Sequence, residues 1–393
     1  MKAPRDARIA VVSLRHGADV LGGAEAVLRE AALGLHARGW NVEVLTTTAE
    51  NLYSFAPSLP AGMSSDEGVP VRRFDIVPPN RGDDSIGHQL WAGARLSQAE
   101  ELRWMNTGAR SPGLFEHVLE HADQYTALIC GPYHAWTAFV CAEIVPQKVM
   151  LMPCLHDEPM ARMDIFRHEF EDSRSLWFLS EPEMDLAQRM FCLPQSARVM
   201  GAGVNVPDAY DRDGFRARHG LEAPFLLYAG RRERMKGWSE LLEQVAFANR
   251  VLDAPWHVAT CGGGGLGDIP AGLAVHDLGF LPDAERSNAF AAAAAYMQPS
   301  RMESFSRTVM EAWLAQTLVI ANAASDVVRW HCERSGAGLV YSDRYELMEA
   351  LRLLQDEPDI CRAMAAKGRD YVLGNYTWDT VLDKVEAALA ELM

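Results

Sequence analysis

The sequence predicts an α/β fold of parallel sheets with helices on both faces, in two domains. Three observations predict it. Short apolar runs alternate with segments of helical periodicity along most of the chain. The 393 residues exceed what one ordinary domain holds. A polar, turn-rich stretch from Asn205 to Gly214, with Pro207, Asp208, Asp211 and Asp213, interrupts the pattern near the middle.

In the first half, Ile9 to Leu14, Val42 to Thr46, Val71 to Phe74, Ala127 to Cys130, Val149 to Met152, Leu176 to Leu179 and Arg198 to Met200 read as strands. Most are short apolar runs of the kind buried on both faces of a parallel sheet, while Val71 to Phe74 and Arg198 to Met200 carry arginines. Helical periodicity covers Ala24 to Arg38, Gln89 to Met105, Pro112 to His121, His134 to Glu143 and Glu181 to Phe191. In the second half, strands are expected at Phe225 to Ala229, His257 to Cys261, Ala274 to Leu278, Ala294 to Met297, Leu318 to Ala321 and Gly338 to Tyr341. Helices alternate with them. Three helical segments close the chain: Arg344 to Gln355, Pro358 to Leu373 and Thr377 to Leu392.

Composition narrows the function. A hydrophobic content of 49% with 23% charged residues describes a globular chain able to bury large cores. A net charge of −16 argues against nucleic-acid binding, which needs a basic surface. The seven cysteines are scattered and form no C-x-x-C pair, so they read as small buried hydrophobes in a reducing compartment. No apolar run reaches the roughly 18 residues of a membrane span, and Ile9 to Leu14 is too short for a secretion signal. The expected location is cytoplasmic, compatible with a peripheral contact at the inner face of a membrane.

The most informative stretch is Gln298 to Ala312, where a strand leads through a turn carrying Glu303 into a helix carrying Glu311. Ser304 and Ser306 are suitable N-cap residues. A helix starting there aims its leading N–H groups and positive dipole end at the turn, which suits a phosphate. The two carboxylates could hold hydroxyls. An anion and several hydroxyls together describe a nucleotide-sugar site. Acidic strand–turn–helix units without a ligand are also common in α/β proteins, and support has to come from elsewhere. Upstream, strand Phe225 to Ala229 runs into Gly230-Arg231-Arg232-Glu233-Arg234-Met235-Lys236-Gly237. Ligands of open parallel sheets bind beyond the carboxyl ends of strands, so Arg231 and Lys236 would meet the same crevice. A solvated basic loop is the competing interpretation.

Taken together, these residues carry a resemblance. Gly230-Arg231 with Lys236-Gly237, then Glu303 and Glu311 in E-x7-E spacing, resemble the retaining nucleotide-sugar glycosyltransferases of family 4, with the GT-B fold. The resemblance extends to Gly22-Gly23-Ala24-Glu25, Leu155-His156-Asp157, Ala202-Gly203-Val204-Asn205, Val275 to Leu281, and Tyr376-Thr377-Trp378. It implies two Rossmann-like domains facing across a cleft. Residues 1–205 would bind the acceptor, and the last helix, 376–393, would cross back to them; residues 206–375 would bind the donor. It implies a diphosphate held by Arg231, Lys236, Ser306 and the Arg307 and Thr308 backbone. Glu303, with Phe305 beside it, would hold the sugar, and Glu311 the ribose. Phe280, Leu281 and Gly262 would border the base, and His156 would reach the transferred sugar from the first domain. Glu303, His156, Arg231 and Lys236 are the expected catalytic set. The co-substrate would be a UDP- or GDP-sugar, and the acceptor a glycan, a lipid-linked sugar or a small molecule. Neither a cofactor nor a metal is expected.

Several features admit two interpretations. Gly22 and Gly23 would let ligand oxygens approach a helix start, or serve a tight turn with positive φ. They do not complete a dinucleotide fingerprint, which disfavours NAD. The run Gly262 to Gly265 could cradle phosphate or be a loop. His156, Asp157, Glu158 and His168 lack diagnostic metal-ligand spacing, and Asp211-Arg212-Asp213 falls at the domain break. Trp91 and Trp104, within the variable stretch Asn80 to Gly108, would stack on sugar or lipid, or pack an amphipathic helix. Two positions depart from the family. Ser306 replaces a glycine, and Gln316 falls in a turn where a positive φ would be costly. A nucleotide-sugar epimerase, a sugar phosphorylase and a non-catalytic nucleotide-sugar-binding protein are the alternatives.

Overall fold

The apolar runs of the first half hydrogen-bond side by side into one sheet of the computed structural model, which describes residues 7–20, 22–51, 53–79, 85–253 and 255–392. Its strands are β1 (Arg8–Val12), β2 (Asn41–Thr47), β3 (Gly62–Asp66), β4 (Val69–Phe74), β5 (Ala127–Cys130), β6 (Val149–Leu151), β7 (Ser175–Phe178) and β8 (Arg198–Val199). Their order is β3-β4-β2-β1-β5-β6-β7-β8. Val11 of β1 lies level with Val44 of β2 and Ile129 of β5, so the central strands are apolar on both faces. The first sheet departs from an all-parallel one at its edge. β3 pairs antiparallel with β4 through a turn in which Glu67 and Gly68 both have positive φ, the geometry of a two-residue hairpin.

Among the described residues, the helices between these strands are α1 (Gly23–Ala37), α2 (Ser85–Trp91), α3 (Gln98–Thr107), α4 (Pro112–His121), α5 (Trp136–Ile144), α6 (Arg167–Glu171) and α7 (Glu181–Met190). The single helix expected over Gln89 to Met105 is two. Gly93, at φ 84°, ends the first, and Ser97 starts the second with a reciprocal capping box to Glu100. Of the variable stretch, residues 80–84 lie outside those described. Trp91 is exposed, whereas Trp104 packs edge-on against Phe166, so only the second serves the core.

The second sheet holds β9 (Phe225–Ala229), β10 (His257–Cys261), β11 (Val275–Asp277), β12 (Ala295–Gln298), β13 (Leu318–Asn322) and β14 (Gly338–Tyr341), in the order β11-β10-β9-β12-β13-β14. All of its pairings are parallel. The intervening helices are α8 (Arg212–His219), α9 (Trp238–Asn249), α10 (Asp283–Ala292), α11 (Arg307–Leu314), α12 (Asp326–Ser335), α13 (Arg344–Asp356) and α14 (Pro358–Asn375). A core of Leu226, Val258, Met297, Ile320, Leu241, Val245 and Leu351 lies under α9 and α13.

The chain divides into two compact units, Met1–Gly203 with Trp378–Met393, and Val204–Thr377. The final helix, α15 (Trp378–Leu392), packs on α1 of the first unit. Leu382 sits so close to Gly34 that a β-carbon there would lie 2.5 Å from it, and the Trp378 ring covers Gly203 in the same way. Arg38 bonds Asp379, Asp383 and Glu386, and the indole of Trp40 donates to Glu386 at 2.6 Å.

Candidate functional site

The order of the second sheet defines where a ligand belongs. From β9 the chain winds outward to β10 and β11, then returns to the other side of β9 with β12 and continues to β13 and β14. The connections diverge between β9 and β12, and a crevice opens beyond the carboxyl ends of strands at such a switch point. Two loops border it: Gly230–Gly237 after β9 and Pro299–Ser306 after β12. They carry Arg231, Lys236 and Glu303.

The two loops meet. Lys236 Nζ donates to Glu303 Oε1 at 2.8 Å, with the side chains 30% and 14% exposed. Glycine makes the approach possible. Gly237 has φ 74°, and a β-carbon there would stand 2.7 Å from the Pro299 carbonyl oxygen. On the other side of β9, Gly262 has φ 129°, and its β-carbon would lie 2.2 Å from the Gly230 carbonyl oxygen. Side chains at either place would push the loops apart. Tyr228 donates its hydroxyl to the Arg231 carbonyl at 2.6 Å and fixes the start of the basic loop. Burial, with Glu303 and Glu233 nearby, raises that phenol well above its ordinary pKa.

The basic run does not act as one unit. Arg232 is nearly buried and committed to Asp277 at 2.9 Å and to the Gly264 carbonyl at 2.8 Å, which ties the glycine-rich loop to β11. Arg231 is exposed and bonded to Glu233 at 3.2 Å. Phe280 is 64% exposed and lies over Gly263, where a β-carbon would be 3.1 Å from its ring. Leu281 is half-buried, next to it in the same loop.

Helix α11 begins at Arg307, and its first bond runs from the Val309 N–H to the Ser306 carbonyl at 3.1 Å. The N–H groups ahead of it have no intrahelical acceptor and carry the positive end of the dipole. Ser306 is the N-cap by position but not by its side chain. It has φ 68° and ψ 72°, and its hydroxyl instead accepts from Gln298 Nε2 at 2.6 Å, inside the protein. The expected Ser306 cap is therefore wrong, because a left-handed residue turns its side chain away from the first-turn N–H groups. Thr308 accepts from the Tyr296 hydroxyl at 2.8 Å, and Phe305 is buried edge-on against His331 and Tyr376. Phe305 thus anchors the turn from below and offers little surface to a ligand. Glu311 lies just over one turn into the helix.

Glu311 has a partner that sequence reasoning missed. Arg286 of α10 reaches both carboxylate oxygens, Nε to Oε2 at 3.3 Å and Nη2 to Oε1 at 3.1 Å. The attraction of Glu311 raises the Arg286 pKa. No motif marks Arg286; an arginine in a helix beginning Asp283-Ala284-Glu285 looks like an ordinary solvated residue.

In the first unit the switch point lies between β1 and β5, since β2, β4 and β3 extend one way and β5 to β8 the other. The loop after β1 carries Arg15, which is 1% exposed, pairs with Glu25 and donates to the Glu50 carbonyl at 3.1 Å. Gly22 lies flat on this pair, for a β-carbon would be 2.1 Å from Glu25 Oε2 and 3.0 Å from Arg15 Nη2. Its φ of 161° is extended, so packing over an ion pair, and not a positive φ, makes glycine necessary. Gly23, the first residue of α1, has nothing within 4 Å of where its β-carbon would be, which leaves room for a ligand. His156 follows β6, partly exposed, with Nδ1 3.8 Å from Glu158 Oε1, the oxygen that accepts from the Tyr133 hydroxyl at 2.8 Å. Asp157 turns to Arg162 and His168 to Asp172, so these residues do not converge. Among the described residues no three His, Cys, Asp or Glu side chains cluster as metal ligands. Asp211 caps α8. No described helix is long and apolar enough to cross a membrane. A hollow of about 690 Å³ lies at the opposite, amino-terminal edge of β6 to β8, where Arg198 is closed by Glu391; it holds none of the expected site residues.

Residues 232–387 match the glycosyl transferase-like family. A stretch of 196 residues, 45% of the chain, is 31% identical to D-inositol 3-phosphate glycosyltransferase 1 of Catenulispora acidiphila, and the match spans about half of that relative, 47%. Among solved structures, sucrose-phosphate synthase from Thermosynechococcus elongatus superposes with a TM-score of 0.74 at 19% identity, covering 98% of this chain and 99% of that one. Anabaena HepE in complex with UDP-glucose gives 0.72 at 15% identity, over 98% and 99% of the two chains. The chain therefore has the GT-B fold, with a mainly parallel α/β sheet in each of its two units.

Proposed function

We propose that this protein is a retaining, metal-independent glycosyltransferase that moves a sugar from a nucleoside-diphosphate sugar to a glycan, lipid-linked or small-molecule acceptor. The observation that carries the proposal is the 2.8 Å contact between Lys236 and Glu303 at the switch point of the second sheet, beside the start of α11. The family match over 232–387 and the likeness to a structure solved with UDP-glucose support it.

The chemistry follows from the charges. Glycosyl transfer leaves negative charge on the departing diphosphate, and preorganised positive groups stabilise it in the transition state. Lys236, Arg231 and the leading N–H groups of α11 supply that charge without a metal. An arriving diphosphate would draw Lys236 from Glu303, which frees the carboxylate to accept hydroxyls of the transferred sugar. Glu311 would accept the ribose hydroxyls. Phe280 and Leu281 would border the base of a UDP- or GDP-sugar near Gly262, with the exposed ring of Phe280 available for stacking. On the first unit, the open space at Gly23 would take the acceptor, and His156 would contact the transferred sugar. With configuration retained, a leaving phosphate oxygen can take the acceptor proton, so no dedicated protein base is needed.

The test is release of nucleoside diphosphate from a panel of UDP- and GDP-sugars, with and without candidate acceptors. Acceptor-dependent release is expected, and Lys236→Ala should lower kcat/KM for the donor about 10²-fold or more. Full activity of that variant, or binding of nucleotide sugar without acceptor-dependent turnover, would refute the proposal.

A further inference from the structure

Cations and acids pair around the crevice of the second unit: Lys236 with Glu303, Arg232 with Asp277, Arg231 with Glu233 and Arg286 with Glu311. The last pair differs in geometry. Arg286 meets Glu311 side-on through Nε and Nη2, so both carboxylate oxygens are held in one plane. Arg286 is itself braced, because Nη1 donates to Asp283 Oδ1 at 2.9 Å within its own helix, and that helix begins directly after the loop of Phe280 and Leu281. A free glutamate loses rotamer freedom when it binds a hydroxyl, and a planar guanidinium fork removes that freedom in advance.

We propose that Arg286 is a positioning residue that fixes Glu311 as the acceptor for the ribose hydroxyls of the donor, a role that rests on the donor site proposed above. Lys236 has to leave Glu303 for the diphosphate, whereas Arg286 stays in place when the ligand arrives. Each Glu311 oxygen, one lone pair turned to the fork, keeps another for a ribose hydroxyl. The selectivity for ribose over deoxyribose then depends on a side chain that does not touch the sugar.

Calorimetric titration of the full chain with UDP, GDP and ADP, and with dUDP, dGDP and dADP, tests this. Wild-type protein should bind its preferred ribonucleotide about tenfold more tightly than the deoxy form, the scale expected for a lost hydroxyl contact to a charged group. Arg286→Met should bring that ratio below about threefold while deoxynucleotide affinity changes little. Arg286→Lys keeps the charge without the fork, should fall between, and serves if the methionine variant does not fold. An unchanged ratio in both variants, or an equal loss of affinity for both nucleotides, overturns the positioning role and leaves the donor site standing. Failure of the wild-type protein to bind any nucleotide overturns both.

Discussion

Two residues without a β-carbon exemption occupy left-handed backbone on either side of α11, and they should respond oppositely to glycine. Gln316 has φ 56° and stands just past the helix end, in a double-bonded C-terminal motif. Its N–H donates to the Trp313 carbonyl at 2.9 Å, and the Thr317 N–H to the Ala312 carbonyl at 2.9 Å. This is the position where helices favour glycine. The Gln316 side chain is exposed, so its replacement removes strain and little else. Relief of about 1–2 kcal/mol, less about 0.4–1 kcal/mol for the more flexible unfolded chain, leaves a net gain of roughly 0.5–1 kcal/mol for Gln316→Gly. Ser306→Gly gains the same relief but strands the amide of Gln298, which is 5% exposed, at a cost of about 1–3 kcal/mol. The expected balance is a loss of roughly 1 kcal/mol. In a unit the size of Val204–Thr377 these become a Tm rise of about 1–3 °C and a comparable fall, read by differential scanning calorimetry. Adding Gln298→Leu to Ser306→Gly should recover only part of the loss, since it removes the stranded amide but also the Gln298 Oε1 that accepts from the Ser300 N–H at 3.4 Å. The account fails if Ser306→Gly proves as stable as Gln316→Gly, or if Gln316→Gly melts below wild type.

Gly237→Ala should both strain the chain and drive a β-carbon onto the Pro299 carbonyl, so donor KM should rise by tenfold or more with kcat less affected; an unchanged KM would show that the two loops need not touch. Glu303→Gln should lower turnover with little change in melting temperature, and an unchanged rate would remove it from the sugar site. His331 is fully buried with Nδ1 2.9 Å from the Tyr371 hydroxyl, and burial pushes its pKa from 6.5 down to about 3. The unfolded chain therefore takes up this proton first, and the stability it confers is complete above pH 6.5 and declines as pH falls toward 3. Urea midpoints of His331→Gln measured from pH 7 to 4 should show a shallower acid decline than wild type; parallel curves would contradict this.

Much of the architecture was legible because parallel strands buried on both faces write themselves as unbroken apolar runs, as in Phe225-Leu226-Leu227-Tyr228-Ala229. Edge strand β3, Gly-Met-Ser-Ser-Asp, is exposed almost throughout and carries no such signal; its one clue is the Glu67-Gly68 turn. The break between α2 and α3 was readable in principle from Ser97 and Glu100, but the apolar periodicity runs across it. In the site, strand ends alone directed Arg231, Lys236 and the Glu303 turn toward one crevice, but the contact of Lys236 with Glu303 needed the folded sheet order. The pairing of Arg286 with Glu311 was not legible: it is made between two successive helices, and neither sequence context is distinctive. The inward turn of the Ser306 hydroxyl depends on Gln298, eight residues earlier, and only the folded backbone reveals it.

The return of α15 to the first unit sets an order of assembly. As the chain leaves the ribosome, residues up to Gly203 emerge without the helix that covers Gly34, Gly203 and Trp40, and the whole of Val204–Thr377 follows before Trp378 appears. The unit that begins first is finished last. Until then the apolar face of α1 around Gly34 is uncovered, which makes the interval before α15 docks the period of greatest exposure to chaperones and to aggregation.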